Sequence, residues 1–258
     1  MGATMTEIRR SVTDAVFLHD LTLGYERHPA VHHLSGGFRT GSLTAVVGPN
    51  GAGKSTLMKG LMGLLRPLGG GVEWSATHSH RAAYLPQQAE LERDFPITVE
   101  EVASLGLWCK LGIWRPLTVS LRNRVREVLA MVGLASFAQR EVGSLSGGQF
   151  QRMLFARLLL QDAPVILLDE PFTAIDHRTT ADLLALVERL HGEGRTVVAV
   201  LHDLDLVHRH FPETLLLARE VVAWGSTSEV LTPDNLMRAR ELQEAWDEQA
   251  PVCARRAA

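Results

Sequence analysis

A glycine-rich segment near residue 50 has the spacing of a loop that binds phosphate groups. Residues 48–55, G-P-N-G-A-G-K-S, match the pattern G-x-x-x-x-G-K-[ST] and lie between an apolar strand predicted at 42–47 and a helix predicted at 55–65. Glycines let backbone amides approach phosphate oxygens closely, and the helix directs the positive end of its dipole at the anion. We expect Lys54 to contact the β and γ phosphates of a nucleotide and Ser55 to bind Mg²⁺. A glycine turn that precedes a lysine by chance is the alternative, which the flanking strand and helix disfavour.

Two acidic residues end a second apolar strand. Asp169 and Glu170 directly follow the apolar run 165–168. Because ligands of open α/β sheets bind at the carboxyl ends of strands, Asp169 is expected to hold Mg²⁺ there. Successive strand residues point in different directions, so Glu170 can face a water in line with the γ phosphate and is the candidate general base. Two solvated acids at a strand exit are the alternative, which is less favoured because the same chain also carries the phosphate loop.

The elements that must position these residues alternate between strands and helices. Residues 15–25 alternate like a half-buried strand, and 28–40 predict a turn and short strands. Helical spacing over 91–139, broken by two prolines, predicts a helical insert at about 89–142. Beyond it, helices at 149–161 and 179–191 alternate with buried strands at 165–168 and 196–201. This order predicts an α/β fold: a phosphate-loop core with a mostly parallel sheet covered on both faces, an N-terminal antiparallel β part and the helical insert.

Length and composition allow one sizeable buried core or two small ones. The chain has 258 residues, 46% of them hydrophobic, and a net charge of −3, which excludes extensive disorder and disfavours a general nucleic-acid binder. We expect a polar tail at 1–14, one domain at 15–235, and an exposed amphipathic helix from Leu236 to Glu248 followed by a tail to 258. Cys109 and Cys253 match no disulfide framework. Without an apolar signal segment or a membrane-length run, the chain is expected in the cytosol, at a membrane only through a partner.

A third segment, L-S-G-G-Q at 145–149, leads into the helix predicted at 149–161. Ser146 is a candidate helix cap, and Gly147 and Gly148 leave backbone amides exposed to an anion. Together with the two motifs above, it resembles the signature of ATP-binding-cassette (ABC) ATPases, and the resemblance covers nearly the whole chain in the right order. The similar segment L-S-G-G-F at 34–38 lacks the glutamine and is predicted to be a turn.

The resemblance implies roles for further residues. Tyr25 would stack on adenine, although a tyrosine in an alternating strand is more often half-buried packing. Gln87, rather than the adjacent Gln88, would sense Mg²⁺, and His202 would contact the γ phosphate. The family also implies a head-to-tail dimer that encloses two ATP molecules, so that one domain alone hydrolyses ATP poorly. The implied nucleotide-binding residues are Tyr25, Gly48, Asn50, Gly51, Gly53, Lys54, Ser55, Thr56, Ser146, Gly147, Gly148, Gln149 and Asp176; the implied Mg²⁺ ligands are Ser55, Gln87 and Asp169, and the implied catalytic residues are Glu170, His202 and Gln87.

One stretch indicates which subgroup of the family this chain is similar to. Residues 149–176, and F-T-A-I-D at 172–176 in particular, are similar to ATPase subunits of bacterial zinc and manganese importers. This implies metal uptake with a membrane permease and a periplasmic metal-binding protein, and a peripheral location on the cytoplasmic face of the inner membrane. Zinc is the first choice and manganese the second. A soluble cassette of iron–sulfur assembly, DNA repair or translation and a simple phosphate-loop kinase are the alternatives.

Other residues could bind metal or the permease. Histidines at 28, 32, 33, 78 and 80 lie in predicted polar loops without an acid or cysteine to complete a ligand set, so they are expected to be solvated. Large apolar residues of the insert are expected to contact the permease, with a small core of the insert as the alternative. They are Phe95, Ile97, Leu107, Trp108 and Trp114.

Overall fold

The computed structural model describes residues 14–25, 28–76, 82–87, 95–108 and 116–244. The strands are β1 (Asp14–Tyr25), β2 (His28–Arg39), β3 (Leu43–Val47), β4 (Gly69–Trp74), β5 (Ala82–Leu85), β6 (Val165–Asp169), β7 (Thr196–Val200), β8 (Glu213–Ala218) and β9 (Glu220–Ser226). A six-stranded sheet has the order β5-β6-β7-β3-β8-β9, and a three-stranded antiparallel sheet has the order β2-β1-β4. In the larger sheet the five strands from β5 to β8 are parallel to their neighbours, and β9 is antiparallel to β8.

Helices join these strands and cover the sheet. Short 3₁₀ turns lie at Leu105–Leu107, Ala135–Phe137 and Val142–Ser144, around the predicted insert. The α-helices are α1 (Lys54–Leu61), α2 (Val99–Ser104), α3 (Val119–Met131), α4 (Gly147–Gln161), α5 (His177–Gly192), α6 (Leu204–His210), α7 (Thr227–Val230) and α8 (Pro233–Glu244). Within the described ranges, no helix is both long enough and apolar enough to cross a bilayer.

Both faces of the large sheet are buried, as its apolar strands predict. On β6, Ile166 and Leu168 join a core with α4, α5 and the insert helices, whereas Val165 and Leu167 join a second core with α1 and the antiparallel sheet. This alternation follows from the two-residue period of a strand. The predicted α/β class with a mostly parallel sheet and an N-terminal antiparallel part is therefore confirmed.

Three local predictions were wrong. The segment 34–38 lies inside β2 and is not a turn: Gly36 has φ +148°, and an added Cβ there would lie 2.6 Å from the Trp224 ring. The predicted polar tail includes Asp14, yet Asp14 is buried at the start of β1. The C-terminal helix begins at Pro233 and is not simply exposed, because Ala239 is buried and neighbouring leucines pack against the core. The division into tail, domain and C-terminal segment otherwise stays a prediction.

Candidate active site

Four loops meet at one edge of the large sheet. The glycine loop follows β3, Asp169 ends β6, His202 follows β7, and Gln87 follows β5. These strands are parallel neighbours, with Leu85 paired to Leu168 and Asp169 paired to Val200. Because the carboxyl ends of parallel strands lie at the same edge, segments far apart in sequence form a single site.

The glycine loop needs glycine because backbone lies directly beneath it. Gly48 has φ +152°, and an added Cβ would lie 1.9 Å from the carbonyl oxygen of Leu217. Gly53 has φ +90°, and an added Cβ would lie 2.4 Å from the carbonyl oxygen of Ala30. Gly51, with φ +77°, has open space around it. The loop therefore rests on β8 and β2 and leaves its outer side open, as an anion site at the start of α1 requires.

Lys54 is the first residue of α1, and its side chain folds back on the loop. The ammonium donates hydrogen bonds of 2.8 Å to the carbonyl oxygens of Gly48 and Pro49. Burial lowers the pKa of Lys54, while the nearby charges of Glu170 and Asp169 oppose this shift. The Lys54 ammonium is thus held at the glycine loop, near the carboxylates of Asp169 and Glu170.

Asp169 is almost fully buried, with 1% of its surface exposed. Its two carboxylate oxygens accept hydrogen bonds from the Ser55 hydroxyl at 3.0 Å and the Tyr84 hydroxyl at 3.3 Å. Burial raises the pKa of Asp169, and these two hydrogen bonds oppose the rise. Hydroxyl and carboxylate oxygens are the hard ligands that Mg²⁺ prefers, so the paired Ser55 and Asp169 fit that ion.

Tyr84 is a site residue that sequence reasoning missed. It lies on β5, next to β6, and burial followed by the charge of Asp169 raises the pKa of its hydroxyl. The hydroxyl therefore stays protonated and can act as a donor to the carboxylate. Its only sequence signal was its place three residues before Gln87.

Glu170 has several hydrogen-bond partners. Its carboxylate lies 2.6 Å from Nε2 of His202, accepts a 3.2 Å hydrogen bond from the Thr173 hydroxyl, and is also bonded by the Gln87 side chain. Burial tends to raise the pKa of Glu170, but the hydrogen bonds of these partners and the charge of His202 outweigh it and lower the pKa below its ordinary value. The three residues predicted to be catalytic therefore meet, and Thr173 joins them without having been predicted.

The backbone of Glu170 is itself unusual. Its φ is +50°, a left-handed conformation that is strained for a residue with a side chain, and its amide donates a 3.2 Å hydrogen bond to the carbonyl oxygen of Val200. Strained backbone of this kind concentrates at functional sites, where the surrounding structure holds it. Here it sets the direction of the carboxylate at the end of β6.

The L-S-G-G-Q segment forms the capped start of α4. The Ser146 hydroxyl accepts a 3.3 Å hydrogen bond from the amide of Gln149, whose side-chain oxygen accepts a 3.0 Å bond from the amide of Ser146. This reciprocal cap positions the first turn, and Ser146 and Gly147 remain exposed. The prediction that Ser146 is a helix cap is therefore correct, and α4 begins two residues earlier than expected.

Asp176 caps the next helix, α5. Its carboxylate accepts bonds of 2.9 Å from the amide and 2.7 Å from the hydroxyl of Thr179, which lower its pKa. A Cβ added to Gly148 would lie 3.0 Å from that hydroxyl, so the start of α4 packs directly against the start of α5. The predicted nucleotide contact of Asp176 across a subunit boundary stays a prediction.

The remaining predicted ligands surround this edge. Tyr25 ends β1 with about half of its surface exposed, and the Lys59 ammonium lies 5.9 Å from the centre of its ring. Asn50 is exposed and Thr56 is buried in α1. An exposed ring face beside the glycine loop's helix suits the predicted adenine platform, which stays a prediction.

The histidine-rich segment at 28–33 is part of β2 and not a polar loop. His33 is exposed and pairs with Asp20 at 2.8 Å, but His32 is buried, which corrects the expectation that it is solvated. Burial lowers the pKa of His32. Over the described ranges, no three or more His, Cys, Asp or Glu residues are grouped as metal ligands. His78, His80, Gln88, Cys109, Trp114 and Cys253 lie outside those ranges.

A mostly parallel sheet whose edge carries a phosphate loop, an Asp-Glu pair and a capped L-S-G-G-Q helix defines an ATP-binding cassette. Residues 31–173 match the family described as ABC transporter. The chain belongs to this family, and its domain is an ATP-binding and ATP-hydrolysing one.

Named relatives are similar over most of their length. The zinc transport system ATP-binding protein TroB of Treponema pallidum is 39% identical, covering 87% of this chain and 86% of TroB. The manganese transport system ATP-binding protein MntB of Halalkalibacterium halodurans is 36% identical, covering 85% of this chain and 89% of MntB. A dimeric bacterial ABC transporter cassette of known structure has a TM-score of 0.71 and 29% identity, covering 82% of this chain and 98% of that one.

Proposed function

We propose that this chain is the ATP-hydrolysing subunit of a bacterial ABC importer for a divalent metal ion, zinc first and manganese second. The observation that carries the ATPase step is the cluster of Glu170, His202 and Gln87 beside Lys54 and Asp169. The names of the zinc and manganese relatives support the metal cargo. In this proposal the chain moves no metal itself. It works at the cytoplasmic face of the inner membrane through a permease that a periplasmic metal-binding protein supplies.

The proposed working unit is a head-to-tail dimer. Each ATP would lie between the glycine loop of one copy and the L-S-G-G-Q loop of the other. Two features support this arrangement: Ser146 is exposed at the start of α4, where helix amides favour an anion, and the similar cassette of known structure is dimeric. A monomer then lacks half of each ATP site and hydrolyses ATP poorly.

Each site residue has a distinct proposed role. Lys54 binds the β and γ phosphates, while Ser55 and Asp169, with Gln87, would hold Mg²⁺, whose charge offsets that of the phosphate oxygens. Glu170 orients or deprotonates the water that attacks the γ phosphate, and its hydrogen bonds keep it ionised for that role. The His202 ring is in contact with the Glu170 carboxylate. In this proposal His202 also contacts the γ phosphate. Tyr25 stacks on adenine.

The exposed aromatic residues of the insert are the proposed permease contact. Phe95 and Trp108 expose 59% and 53% of their surface, whereas Leu107 is buried and Ile97 packs against the core. The predicted set therefore divides: Leu107 and Ile97 pack into the core that the insert shares with the large sheet, and the aromatic residues Phe95 and Trp108 remain available to a helix of the permease. The adjacent turn lies close to α4, since a Cβ added to Gly106 would be 2.2 Å from the carbonyl oxygen of Arg157.

Replacing Phe95 or Trp108 by glutamate is expected to abolish co-purification with the permease and metal uptake, because a charge must be desolvated in an apolar groove. ATP binding by the isolated subunit should stay unchanged. Met237→Glu is the matched control, since Met237 exposes 60% of its surface on α8. A Phe95→Glu, Trp108→Glu double variant that transports metal at the normal rate would refute this contact.

The metal cargo is tested with the assembled transporter. We expect binding protein loaded with the transported metal to raise the ATPase rate of the chain and its permease by about fivefold or more, which corresponds to a fall of about 1 kcal/mol in the activation free energy. Zinc and manganese are compared at equal loading in reconstituted vesicles, with unloaded binding protein as the control. Stimulation by manganese alone would make the protein a manganese importer, and ATPase activity without any response to metal or permease would favour a soluble cassette.

A further inference from the structure

The start of α4 is bonded to the loop that carries Glu170. Gln151, two residues beyond the L-S-G-G-Q segment, donates a 2.8 Å hydrogen bond from its side-chain amide to the carbonyl oxygen of Pro171. Pro171 is buried and directly follows Glu170. The ring of Pro171 fixes φ, one of the two backbone torsions between the Glu170 peptide group and the carbonyl group that Gln151 binds, so a displacement of that carbonyl group is passed in part to Glu170.

The Glu170 loop is also closed on itself. The amide of Thr173 donates to the carbonyl oxygen of Glu170 at 3.3 Å, and the Thr173 hydroxyl donates to the Glu170 carboxylate at 3.2 Å. A displacement of Pro171 is therefore transmitted to the carboxylate as well as to the backbone of Glu170.

Further contacts join the same two segments. Gly148 packs against the Asp176 and Thr179 side chains at the start of α5. Arg152, next to Gln151, donates to the Asp182 carboxylate of α5 at 2.6 Å and to the carbonyl oxygen of Val132 at 3.2 Å. Segments 146–152 and 170–182 thus form one packed unit, and Gln151 supplies its bond nearest to Glu170.

In the proposed head-to-tail dimer, on which this inference rests, that unit lies between two ATP molecules. Glu170 acts on the ATP of its own copy, while Ser146 and its glycines face the ATP of the other copy. We propose that Gln151 is a positioning residue that couples the two ATP sites. Through its bond to Pro171, a change in the position of Glu170 at one ATP site shifts the L-S-G-G-Q segment of the same copy, which faces the other ATP site. Hydrolysis then depends cooperatively on ATP.

The test compares variants of the full chain in the assembled transporter. Gln151→Met keeps the length of the side chain but loses the donor, and Gln151→Lys keeps a donor. Gln161→Met is the matched control, because it makes the same exchange at the far end of α4. The readout is the Hill coefficient of hydrolysis against ATP, which cannot exceed about 2 for two sites and which loss of stability alone would not change.

We expect the Hill coefficient to fall to about 1 in Gln151→Met and to stay above 1 in Gln151→Lys and in Gln161→Met. ATP binding by the isolated monomer should be unchanged in all three. If Gln151→Met does not fold, Gln151→Ser, which is too short to reach Pro171, takes its place. An unchanged coefficient in the donor-free variant, or an equal fall in Gln161→Met or Gln151→Lys, overturns the inference. A hyperbolic dependence of the hydrolysis rate on ATP concentration in the unmodified chain also overturns the inference but leaves the proposed function standing. Absence of hydrolysis in the unmodified chain refutes both the inference and the proposed function.

Discussion

Glu170→Gln is expected to lower ATP turnover by a factor on the order of 10²–10⁴ while ATP binding stays intact, because the amide cannot take a proton from the attacking water. The substitution keeps the size of the side chain and leaves the Lys54 and Asp169 contacts in place. Phosphate release measures the turnover, and a sizing column with ATP should show accumulated dimer.

The control for this experiment is Glu241→Gln, the same exchange at an exposed position of α8. It should leave turnover within about twofold of the unmodified chain, as expected of a surface change away from the site. Near-normal hydrolysis by Glu170→Gln would remove this residue from the catalytic mechanism and leave His202 or Gln87 to orient the water.

The second large effect separates the two phosphate-facing loops. Lys54→Ala removes a charged donor and is expected to weaken ATP binding by the isolated monomer about 10- to 100-fold, the range for a hydrogen bond to a charged group. Ser146→Arg should leave monomer binding unchanged and block dimer closure, because Ser146 is exposed on the surface that would meet the partner. Photolabelling of the monomer with an ATP analogue distinguishes the two variants.

A mixture of these variants tests the geometry of the dimer. In the mixed dimer one site combines both defects, and the other pairs an intact Lys54 with an intact Ser146. We therefore expect the mixture to hydrolyse ATP faster than either variant alone. Equal loss of labelling in both monomers would contradict a site that is shared between two copies.

The predicted fold class and the three motif segments agree with the structure because their signals are local. Gly48 to Ser55 forms one loop and helix start, and Asp169 and Glu170 are adjacent in the chain, so spacing alone identifies them. Local spacing could not show that Ser35 to Gly37 continues a strand. There the Trp224 ring, which belongs to the other sheet, packs over Gly36, and this contact is between distant segments. Nor could local spacing show which apolar residues of the insert are buried.

Other site residues depend on contacts between distant segments. Tyr84 reaches Asp169, 85 residues away, only because β5 pairs with β6, and Gln151 reaches Pro171 only because α4 packs against the end of that strand. Side chains such as tyrosine and glutamine occur in many environments, so their types and spacing carried no signal of these partners.

The sequence by itself predicted the chemistry: which residues would hold phosphate, Mg²⁺ and a water, since those needs select residue types at short, regular spacings. The tertiary structure decided how the groups act on one another. Parallel strand pairing brings Gln87, Glu170 and His202 together. Burial raises the pKa of Asp169, whereas at Glu170 the hydrogen bonds of its partners and the charge of His202 outweigh burial and lower the pKa. These properties depend on distances between segments that are separated in the sequence, such as Ser55 and Asp169, which are 114 residues apart, and only the folded chain sets those distances.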